Sequence, residues 1–333
     1  MNVLIITHSA DNESIPLVRK ILEAGGCKVF RFDTDHFPTR DRVALGYGNG
    51  PLRQQVITRD GTVDMQDLDA IWYRRMRIGN QIPKDMDPQL RKPSIEESRR
   101  TFIGMLASSD AFILDPFENI RGSEVKQRQL KIARELNIPM PNTLITNDPE
   151  AVRAFAADNP VGIVTKMQAS FAVYREGIEH VVFTNTVDDD ILKDLDGLEY
   201  CPMTFQEKVP KKLELRVTVV GDQIFCAAVD SQTSDRAQDD WRRDGQVFTT
   251  QWRPYELPDE QKRLILALMD RLMLNYGALD IILTPDDRYI FLEINPAGEW
   301  FWLDLYADLP IAKAIAAILM GKAFRRPTKL FTP

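Results

Sequence analysis

The sequence contains few of the residues that build disulfide frameworks or metal clusters. Of its 333 residues only 3 are cysteines and 3 are histidines. Cys27, Cys201 and Cys226 each lie in an apolar segment and share no spacing typical of a metal site. We therefore expect three reduced core thiols, which are typical of a cytoplasmic protein rather than a secreted one.

Long apolar runs, targeting signals and an excess of positive charge are also missing. The apolar run at residues 3–7 is too short to cross a membrane, and no basic segment precedes it, so we expect a buried first strand and no membrane partner. The formal net charge of −7 argues against general nucleic-acid binding, because phosphate backbones favour proteins rich in Lys and Arg. An acidic partner must therefore meet a local basic patch.

The chain has enough apolar residues for a large core, with 44% of its 333 residues hydrophobic. One compact domain of this length is unusual, so the length predicts two or three packed lobes. We place the first lobe at residues 1–118, where a strand at 3–7, a helix at 15–22 and a strand at 28–32 predict a parallel α/β sheet. Further predicted elements of this lobe are strands at 70–73 and 111–114 and a helix at 94–107. A GxGxxG motif is missing from the first turn, which argues against a dinucleotide site.

The rest of the chain predicts two α+β lobes. We place a small central lobe at residues 119–202 and a C-terminal lobe with an antiparallel sheet at 203–333. Ser123 is the predicted N-cap of a helix that runs to Leu136. The other predicted elements are strands at 161–166, 169–174, 180–184, 203–209, 213–220 and 224–229, and helices at 149–157, 260–274 and 310–320.

The stretch from Asp280 to Asn295 predicts a β-hairpin that carries a metal site. Two apolar runs flank a turn at residues 285–287. Because side chains two residues apart share one face of a strand, Glu293 and Asn295 project together, and an antiparallel partner brings Asp280 beside them. Two carboxylates and an amide oxygen form the kind of site at which Mg²⁺ binds together with nucleotide phosphates. A surface hairpin that merely carries acidic residues is the alternative.

Two lysines and one pair of charged strand residues are candidates for phosphate and sugar binding. Lys166 ends a predicted buried strand, and a buried ammonium needs an anionic partner. Lys126 lies on the helix upstream, where a phosphate contact and a solvated lysine are equally compatible with the sequence. Glu214 and Arg216 share one face of a predicted strand, either as a salt bridge across strands or as ligands of a ribose and of a phosphate or carboxylate.

These elements, in this order, resemble the ATP-grasp family. The matches are the helix with Lys126, the strand end at Lys166, residues 206–209, Glu214-Leu215-Arg216, and Asp280 with Glu293-Ile294-Asn295. The resemblance implies an ATP-grasp fold in which Lys126, Lys166 and Arg216 contact the phosphates of ATP, Gln206, Glu207, Lys208 and Val209 the adenine, Glu214 the ribose, and Asp280, Glu293 and Asn295 the Mg²⁺ ions. Residues 167–171 depart from the family, because they lack the glycines of its phosphate-covering loop.

A closer resemblance runs along the whole chain, to the microviridin-type peptide ligases, which are ATP-grasp enzymes that macrocyclise ribosomally made precursor peptides. It rests on residues 11–18, 30–35, 72–77, 201–207 and 295–302, the last of which reads NPAGEWFW. The resemblance implies a precursor-peptide partner with a leader and an acidic, Thr-rich core. Its Asp or Glu side chains are activated as acyl phosphates, and Thr or Ser hydroxyls attack them to form ω-ester rings, the product we expect here. ω-Amide rings made by a Lys amine, a small-molecule carboxylate–amine ligase and an ATP-dependent peptide-binding scaffold are the alternatives.

An acidic peptide that approaches negatively charged ATP needs local positive charge. The expected peptide-binding residues are Arg74, Arg75 and Arg77 at a predicted strand end, and Arg242 and Arg243 in a polar loop. A solvated charge cluster is the alternative for the first three. The expected catalytic residues are Lys166, Arg216 and Arg74, which act by positioning and charge neutralisation.

The general base, the leader site and the number of subunits are less defined by the sequence. His8, His36 and His180 fit no triad spacing, and we expect each to be structural or exposed. The candidates for the base are therefore Asp239, Asp240 and a substrate carboxylate. We expect the leader to dock near a hairpin at residues 171–183, with plain lobe packing as the alternative. Residues 298–302 are expected at the edge where the acidic peptide meets the γ-phosphate. A monomer and a homodimer both fit the sequence.

Overall fold

A parallel sheet forms the centre of the N-terminal lobe. The computed structural model describes residues 1–167, 172–175, 178–181, 184–233 and 248–327, with the backbone alone at 172–175 and 178–181. The elements of this lobe are β1 (Asn2–Thr7), α1 (Ser14–Ala24), β2 (Lys28–Asp33), β3 (Arg42–Gly46), β4 (Arg53–Thr58), β5 (Gly61–Asp64), β6 (Ala70–Tyr73), α2 (Pro88–Ala107) and β7 (Phe112–Leu114). Four strands pair in the order β2-β1-β6-β7, and all of these pairings are parallel. The predicted β-α-β start is confirmed.

Strand β1 is buried on both faces, which explains its continuous apolar sequence. Val3 and Ile5 pack in one cluster with Ile15 of α1. Leu4 and Ile6 pack in another. Helix α2 begins at Pro88 rather than at residue 94, because the Asp87 side chain accepts a hydrogen bond from the Gln89 N–H and caps the helix. Strands β3, β4 and β5 form a separate antiparallel sheet for which we had no sequence prediction.

The central lobe contains a second sheet. Its elements are α3 (Phe117–Glu124), α4 (Lys126–Glu135), β8 (Thr143–Thr146), α5 (Pro149–Asp158), β9 (Ile163–Lys166), β10 (Ala172–Arg175), β11 (Ile178–Val181), β12 (Asn185–Val187), α6 (Asp189–Lys193) and β13 (Met203–Glu207). The sheet order is β12-β9-β13-β8, with antiparallel pairings. Strands β10 and β11 form the predicted hairpin, although β10 begins three residues later than expected. Its flanking residues Phe171 and Phe183 lie outside the described part.

Three predictions for this region were wrong. Ser123 is not an N-cap, because it lies inside α3, and the helix breaks at Val125, whose backbone is extended. Strand β13 pairs with β8 and β9 of the central sheet, whereas we had placed residue 203 at the start of the C-terminal lobe. Cys201 is exposed rather than buried, although Cys27 and Cys226 are buried as expected.

The C-terminal lobe is an antiparallel sheet with helices on both sides. Its elements are β14 (Leu213–Val220), β15 (Gln223–Val229), β16 (Arg253–Pro254), α7 (Asp259–Leu272), β17 (Tyr276–Leu283), β18 (Tyr289–Asn295), α8 (Phe301–Tyr306) and α9 (Ile311–Leu319). The strand order in the described chain is β16-β15-β14-β17-β18. One face packs on α7 and α4, and Val217 of β14 is fully buried there with Leu268 of α7 and Ile132 of α4 in the same cluster.

The opposite face joins the C-terminal and N-terminal lobes into one core. Val220 of β14 and Ile315 of α9 belong to the same buried cluster as Val3 and Val18. Helix α9 thus packs against α1 as well as on the sheet, where we had expected it. No helix in the described ranges is both long and apolar enough to span a bilayer. The shared core places the carboxyl edge of the parallel sheet next to the antiparallel sheet.

Candidate active site

Three charged residues form a row across β14, β17 and β18. Arg216 is the cross-strand neighbour of Asp280, and Asp280 is the neighbour of Glu293, so the three side chains share one face of the sheet. Arg216 Nη1 lies 2.7 Å from Asp280 Oδ1. The pairing shifts by one residue directly after Asp280, which is a bulge next to the site. The predicted hairpin is therefore confirmed.

Glu293 lies at the centre of the predicted metal site. Lys126 Nζ is 2.9 Å from Glu293 Oε2, and Asn295 Nδ2 donates to Glu293 Oε1 at 3.1 Å. Burial alone raises the pKa of Glu293, but the charges of Lys126 and Lys166 outweigh burial and lower this pKa to about 2. The carboxylate is thus ionised at neutral pH. Two carboxylates and an amide oxygen on adjacent strands match the oxygen ligands that Mg²⁺ prefers.

Gln129 holds helix α4, which begins at Lys126, against the β17–β18 hairpin. Its side-chain amide donates to Ser123 O at 2.6 Å and to Ile294 O at 2.8 Å, and its Oε1 accepts from the Ile294 N–H at 3.1 Å. The side chain is buried, so these bonds are shielded from water. These bonds therefore fix the position of helix α4, and with it the position of Lys126 beside Glu293. The sequence contained no signal for this role.

A cleft of about 340 Å³, part of it open to solvent, separates the central sheet from the β17–β18 hairpin. Its lining residues are Lys126, Gln129, Leu130, Ile145, Lys166, Met167, Thr204, Gln206, Leu292 and Glu293. The apolar members suit a planar base and the two lysines suit phosphates. Thr204, which we had not predicted, is buried, and its Oγ1 has no hydrogen-bond partner among the described residues. The cleft brings together four of the residues predicted to bind ATP or metal.

The predicted adenine segment is tied to neighbouring strands. Gln206 Nε2 donates to Thr143 Oγ1 at 2.9 Å. The Glu207 N–H donates to Asn142 O at 3.0 Å, and the Lys208 N–H donates to Gly162 O at 2.9 Å. These two N–H groups are therefore engaged within the chain. The contacts of this segment, including Val209, with adenine stay a prediction.

Glu214 lies on the same face of β14 as Arg216, as predicted. Lys211 Nζ is 3.0 Å from Glu214 Oε1, and the Ser231 hydroxyl donates to the same oxygen at 2.7 Å. The carboxylate is thus fixed by neighbours at the end of the strand. Its contact with a ribose stays a prediction.

Glu299 connects the two lobes. Arg74 Nη2 lies 2.7 Å from Glu299 Oε2, Arg75 also bonds to this carboxylate, and Asn12 Nδ2 donates to it at 2.9 Å. The Glu299 carbonyl oxygen accepts from Arg216 Nη2 at 2.9 Å. One residue therefore joins the predicted arginine cluster to the row on the antiparallel sheet. We expected the segment at 298–302 near the site. We did not predict that Glu299 contacts these arginines.

The arginines of the predicted peptide site differ in exposure. Arg74 is only 4% exposed. Its guanidinium forms ion pairs with Asp11, at 2.9 Å from Nε to Oδ2, and with Glu299. Arg75 is partly exposed and Arg77 is exposed. Contacts of the three with a peptide stay a prediction. The other residues proposed for the peptide or the base, Asp239, Asp240, Arg242 and Arg243, lie outside the described ranges.

Gly298 permits the approach of Arg216 to the segment that follows β18. A Cβ atom at this position would lie 2.6 Å from Ala278 Cβ and 2.8 Å from Arg216 Nη2. Trp302 stacks near the same guanidinium, with its ring centre 5.6 Å from Arg216 Cζ. Trp300, in contrast, is fully buried in the shared core. The NPAGEWFW segment thus contributes to both core and site.

Comparison with family models matches nearly the whole chain. Residues 2–121 match the MvdD pre-ATP grasp domain, and residues 123–319 match the RimK-like ATP-grasp domain. The boundary between the two matches falls within α3. A comparison with curated proteins finds no match.

Several solved structures are similar over almost their full length. The macrocyclase MdnC from Microcystis aeruginosa MRC, solved with its precursor peptide MdnA, is 48% identical over 96% of this chain and 100% of that chain, with a TM-score of 0.88. A RiPP-associated ATP-grasp ligase from Chryseobacterium gregarium, solved with ADP and a leader and core peptide, is 41% identical over 99% of both chains, with a TM-score of 0.94. The macrocyclase MdnB from Microcystis aeruginosa MRC is 34% identical over 96% of this chain and 98% of that chain, with a TM-score of 0.80.

Proposed function

Because this chain belongs to the ATP-grasp macrocyclases of ribosomally made peptides, we propose that it uses ATP and Mg²⁺ to close rings between side chains of a precursor peptide. The γ-phosphoryl group passes to an Asp or Glu carboxylate of the peptide, which releases ADP and leaves an acyl phosphate. A Thr or Ser hydroxyl then attacks the acyl carbon, the ester bond forms and inorganic phosphate leaves.

The observation that supports this proposal most directly is the continuity of charged residues from the cleft to the lobe junction. Lys126 pairs with Glu293 at the cleft, and Arg216 with Asp280 lies next to them. Arg216 Nε is buried and has no hydrogen-bond partner among the described residues, so one N–H remains for an anionic group. Beyond it, Arg75 is 33% exposed at the junction. A phosphate donor and a carboxylate acceptor can therefore meet beside Arg216.

The residues of the cleft fit ATP and its metal. Asp280, Glu293 and Asn295 would hold Mg²⁺, which would supply charge neutralisation for the phosphates. Lys126 and Lys166 bind phosphate oxygens through charge-assisted hydrogen bonds. Arg216 orients the phosphoryl group against the peptide carboxylate. These residues act by position and charge, with no covalent bond to the protein.

We propose ester rings as the product, a leader and an acidic, Thr-rich core in the peptide, and the cytoplasm as the place of reaction. Ester formation follows from the sequence resemblance to the ester-forming ligases. The alternative product is an amide, made by a Lys amine. The leader is proposed to dock near the β10–β11 hairpin, which pairs as a two-stranded sheet of its own in the described chain, because a strand edge can pair with an extended peptide.

The experiment combines the protein, ATP, Mg²⁺ and an acidic, Thr-rich precursor peptide, and follows ADP and the peptide mass. Loss of one water per ring supports ligation, and mild base opens esters but not amides. A peptide without its leader is the control for docking. ADP release with no change of peptide mass contradicts the macrocyclase proposal, whereas base-stable rings contradict only the choice of ester.

A further inference from the structure

His8 lies at the place where open α/β sheets bind ligands. It follows β1 directly, and Arg74 follows the neighbouring strand β6. In the order β2-β1-β6-β7, the chain goes from β1 to β2 on one side and reaches β6 on the other, so the strand order reverses beside β1. Ligands of such sheets bind in the crevice at the carboxyl ends of the strands, at this reversal. His8 and Arg74 thus follow the two strands between which this reversal lies.

The imidazole of His8 is buried and has no partner within the described chain. The residue is 3% exposed, and neither Nδ1 nor Nε2 has a hydrogen-bond partner among the described residues. Buried polar side chains almost always have one. The backbone of His8, in contrast, is well fixed, because its carbonyl oxygen accepts from the Asp11 N–H at 3.1 Å and from Arg31 Nη2 at 3.0 Å. The backbone of His8 is therefore fixed, and neither ring nitrogen is engaged by the described residues.

A chain of direct contacts connects the surroundings of His8 to the phosphoryl site. Asp11, near His8, lies 2.9 Å from Arg74 Nε. Arg74 binds the Glu299 carboxylate at 2.7 Å, and the Glu299 carbonyl accepts from Arg216 at 2.9 Å. The junction opens at Arg75 and Glu299, whose side chains are 33% and 31% exposed. A peptide whose carboxylate lies beside Arg216 can thus extend towards the crevice.

From this geometry we propose that His8 is the general base for ring closure, a step that rests on the proposed function. One ring nitrogen accepts the proton of the attacking Thr or Ser hydroxyl. The hydroxyl oxygen forms the new bond to the acyl carbon, the bond from that carbon to the phosphate oxygen breaks, and phosphate leaves with the electron pair. The proton on His8 then passes to the departing phosphate. ATP cleavage, which precedes this step, needs no proton acceptor and so does not need His8.

The charges around His8 favour the neutral imidazole that a base requires. Burial and the positive charges of Arg77 and Arg75 lower the pKa of His8, and they outweigh the opposite effect of Asp11 and Asp35. The ring is therefore unprotonated at neutral pH, where it can accept a proton.

The test separates the two half-reactions in the variant His8→Gln. Acyl phosphate is trapped with hydroxylamine as a peptide hydroxamate, and ring closure is measured by mass in a single turnover. We expect ADP and hydroxamate to form at the wild-type rate, and ring closure to slow by about 10²–10⁴-fold, the usual contribution of a general base. The matched control is His36→Gln, a half-buried histidine of the same lobe, which should change neither rate.

Three outcomes overturn the proposal. Ring closure at the wild-type rate in folded His8→Gln excludes His8 as the base, and an equal loss of both half-reactions indicates a structural role. If the variant does not fold, the pH dependence of the wild-type protein is the test. Ring closure must slow as the pH falls through the pKa of His8, which lies below the ordinary value of 6.5, while ADP release does not slow, and a pH-independent ring closure rejects His8. Absence of hydroxamate and ring in the wild type at every pH is a different result, because it contradicts the proposed function itself.

Discussion

Lys126 and Glu293 face each other at the edge of the cleft beside the central sheet, with Nζ 2.9 Å from Oε2. The two residues come from different lobes, since Lys126 begins α4 and Glu293 lies on β18. Their side chains are both partly buried, so the attraction is stronger than that of a solvated surface pair. When ATP and metal bind, this pair must be shared with phosphate and Mg²⁺. Lys126 thus helps to keep Glu293 ionised, and under the proposed function it would also bind phosphate.

Replacement of Lys126 by Met should weaken ATP binding. The variant loses a charge-assisted hydrogen bond to phosphate, which corresponds to about a 10-fold or larger increase of KM for ATP. It also removes one of the positive charges that lower the pKa of Glu293. Steady-state ADP release at varied ATP concentration measures the effect. Lys131→Met, at an exposed position of the same helix, is the control, and equal KM values for the two variants would contradict the assignment.

The substitution Arg74→Met should destabilise the protein by about 3–5 kcal/mol, because it leaves the buried Asp11 carboxylate without its cation. Chemical denaturation followed by circular dichroism gives the free energy of unfolding. Arg100→Met is the matched surface control, since the Arg100 side chain is 73% exposed, and it should change stability by no more than about 0.5 kcal/mol. A similar small effect of Arg74→Met would show that the lobe junction does not depend on this ion pair.

Stability should fall at acidic pH partly through Asp11. Burial raises the pKa of Asp11, but the charge of Arg74 and the hydrogen bonds from Thr7 and Asn12 lower it by a larger amount. The folded-state pKa therefore lies below the ordinary value of 3.8. A carboxyl with a lowered folded-state pKa stabilises the protein above pH 3.8, and this contribution is lost as the pH falls through the folded-state pKa.

The variant Asp11→Asn tests this pH dependence. It should be less stable than the wild type at neutral pH, and the difference in free energy of unfolding should shrink as the pH falls below about 4. Denaturation curves between neutral and acidic pH provide the measurement. Asp222→Asn, at an exposed position, should show no such convergence. A stability difference that stays constant with pH would rule out the proposed role of the Asp11 charge.

The substitution Gly298→Ala should slow ring formation. The added Cβ would lie 2.8 Å from Arg216 Nη2, so the guanidinium must move away from Asp280 or from the Glu299 carbonyl. A shift of this size at a positioning residue can lower the rate by about 100-fold. Gly104→Ala is the control, because a Cβ there meets no atom within 4 Å, and alanine in helix α2 should stabilise by up to about 1 kcal/mol. Wild-type turnover in Gly298→Ala would contradict the tight packing of this site.

The β17–β18 hairpin and the row of Arg216, Asp280 and Glu293 across the antiparallel sheet were predictable because they follow from local patterns. The two-residue period of residues 289–295 places Glu293 and Asn295 on one face, and the turn at 285–287 sets the antiparallel return to Asp280. Cross-strand pairing then brings Asp280 next to Glu293, as the structure has it. The order of the lysines and the strand with Arg216 along the chain was likewise sufficient to indicate the family.

Other features depended on contacts that no local pattern encodes. Local capping rules favoured Ser123 as a helix start, but the buried side chain of Gln129 bonds to the Ser123 carbonyl across the break between α3 and α4. Strand β13 looked like the first strand of the last lobe, because nothing in its sequence indicates pairing with β8 and β9. The sequence also contained no sign that Thr204 lines the cleft.

The family and the β17–β18 hairpin with its acidic residues could be inferred from the order of the residues, because the evidence for each lies in short segments of the sequence. How the lobes meet, in contrast, is visible only in the folded chain. Arg74 and Glu299 are 225 residues apart in the chain, and their contact exists because α9 and α1 share one core. The position of His8 beside that junction also depends on the tertiary structure. In a parallel sheet, residues that are far apart in the sequence lie together where the strands end at one edge.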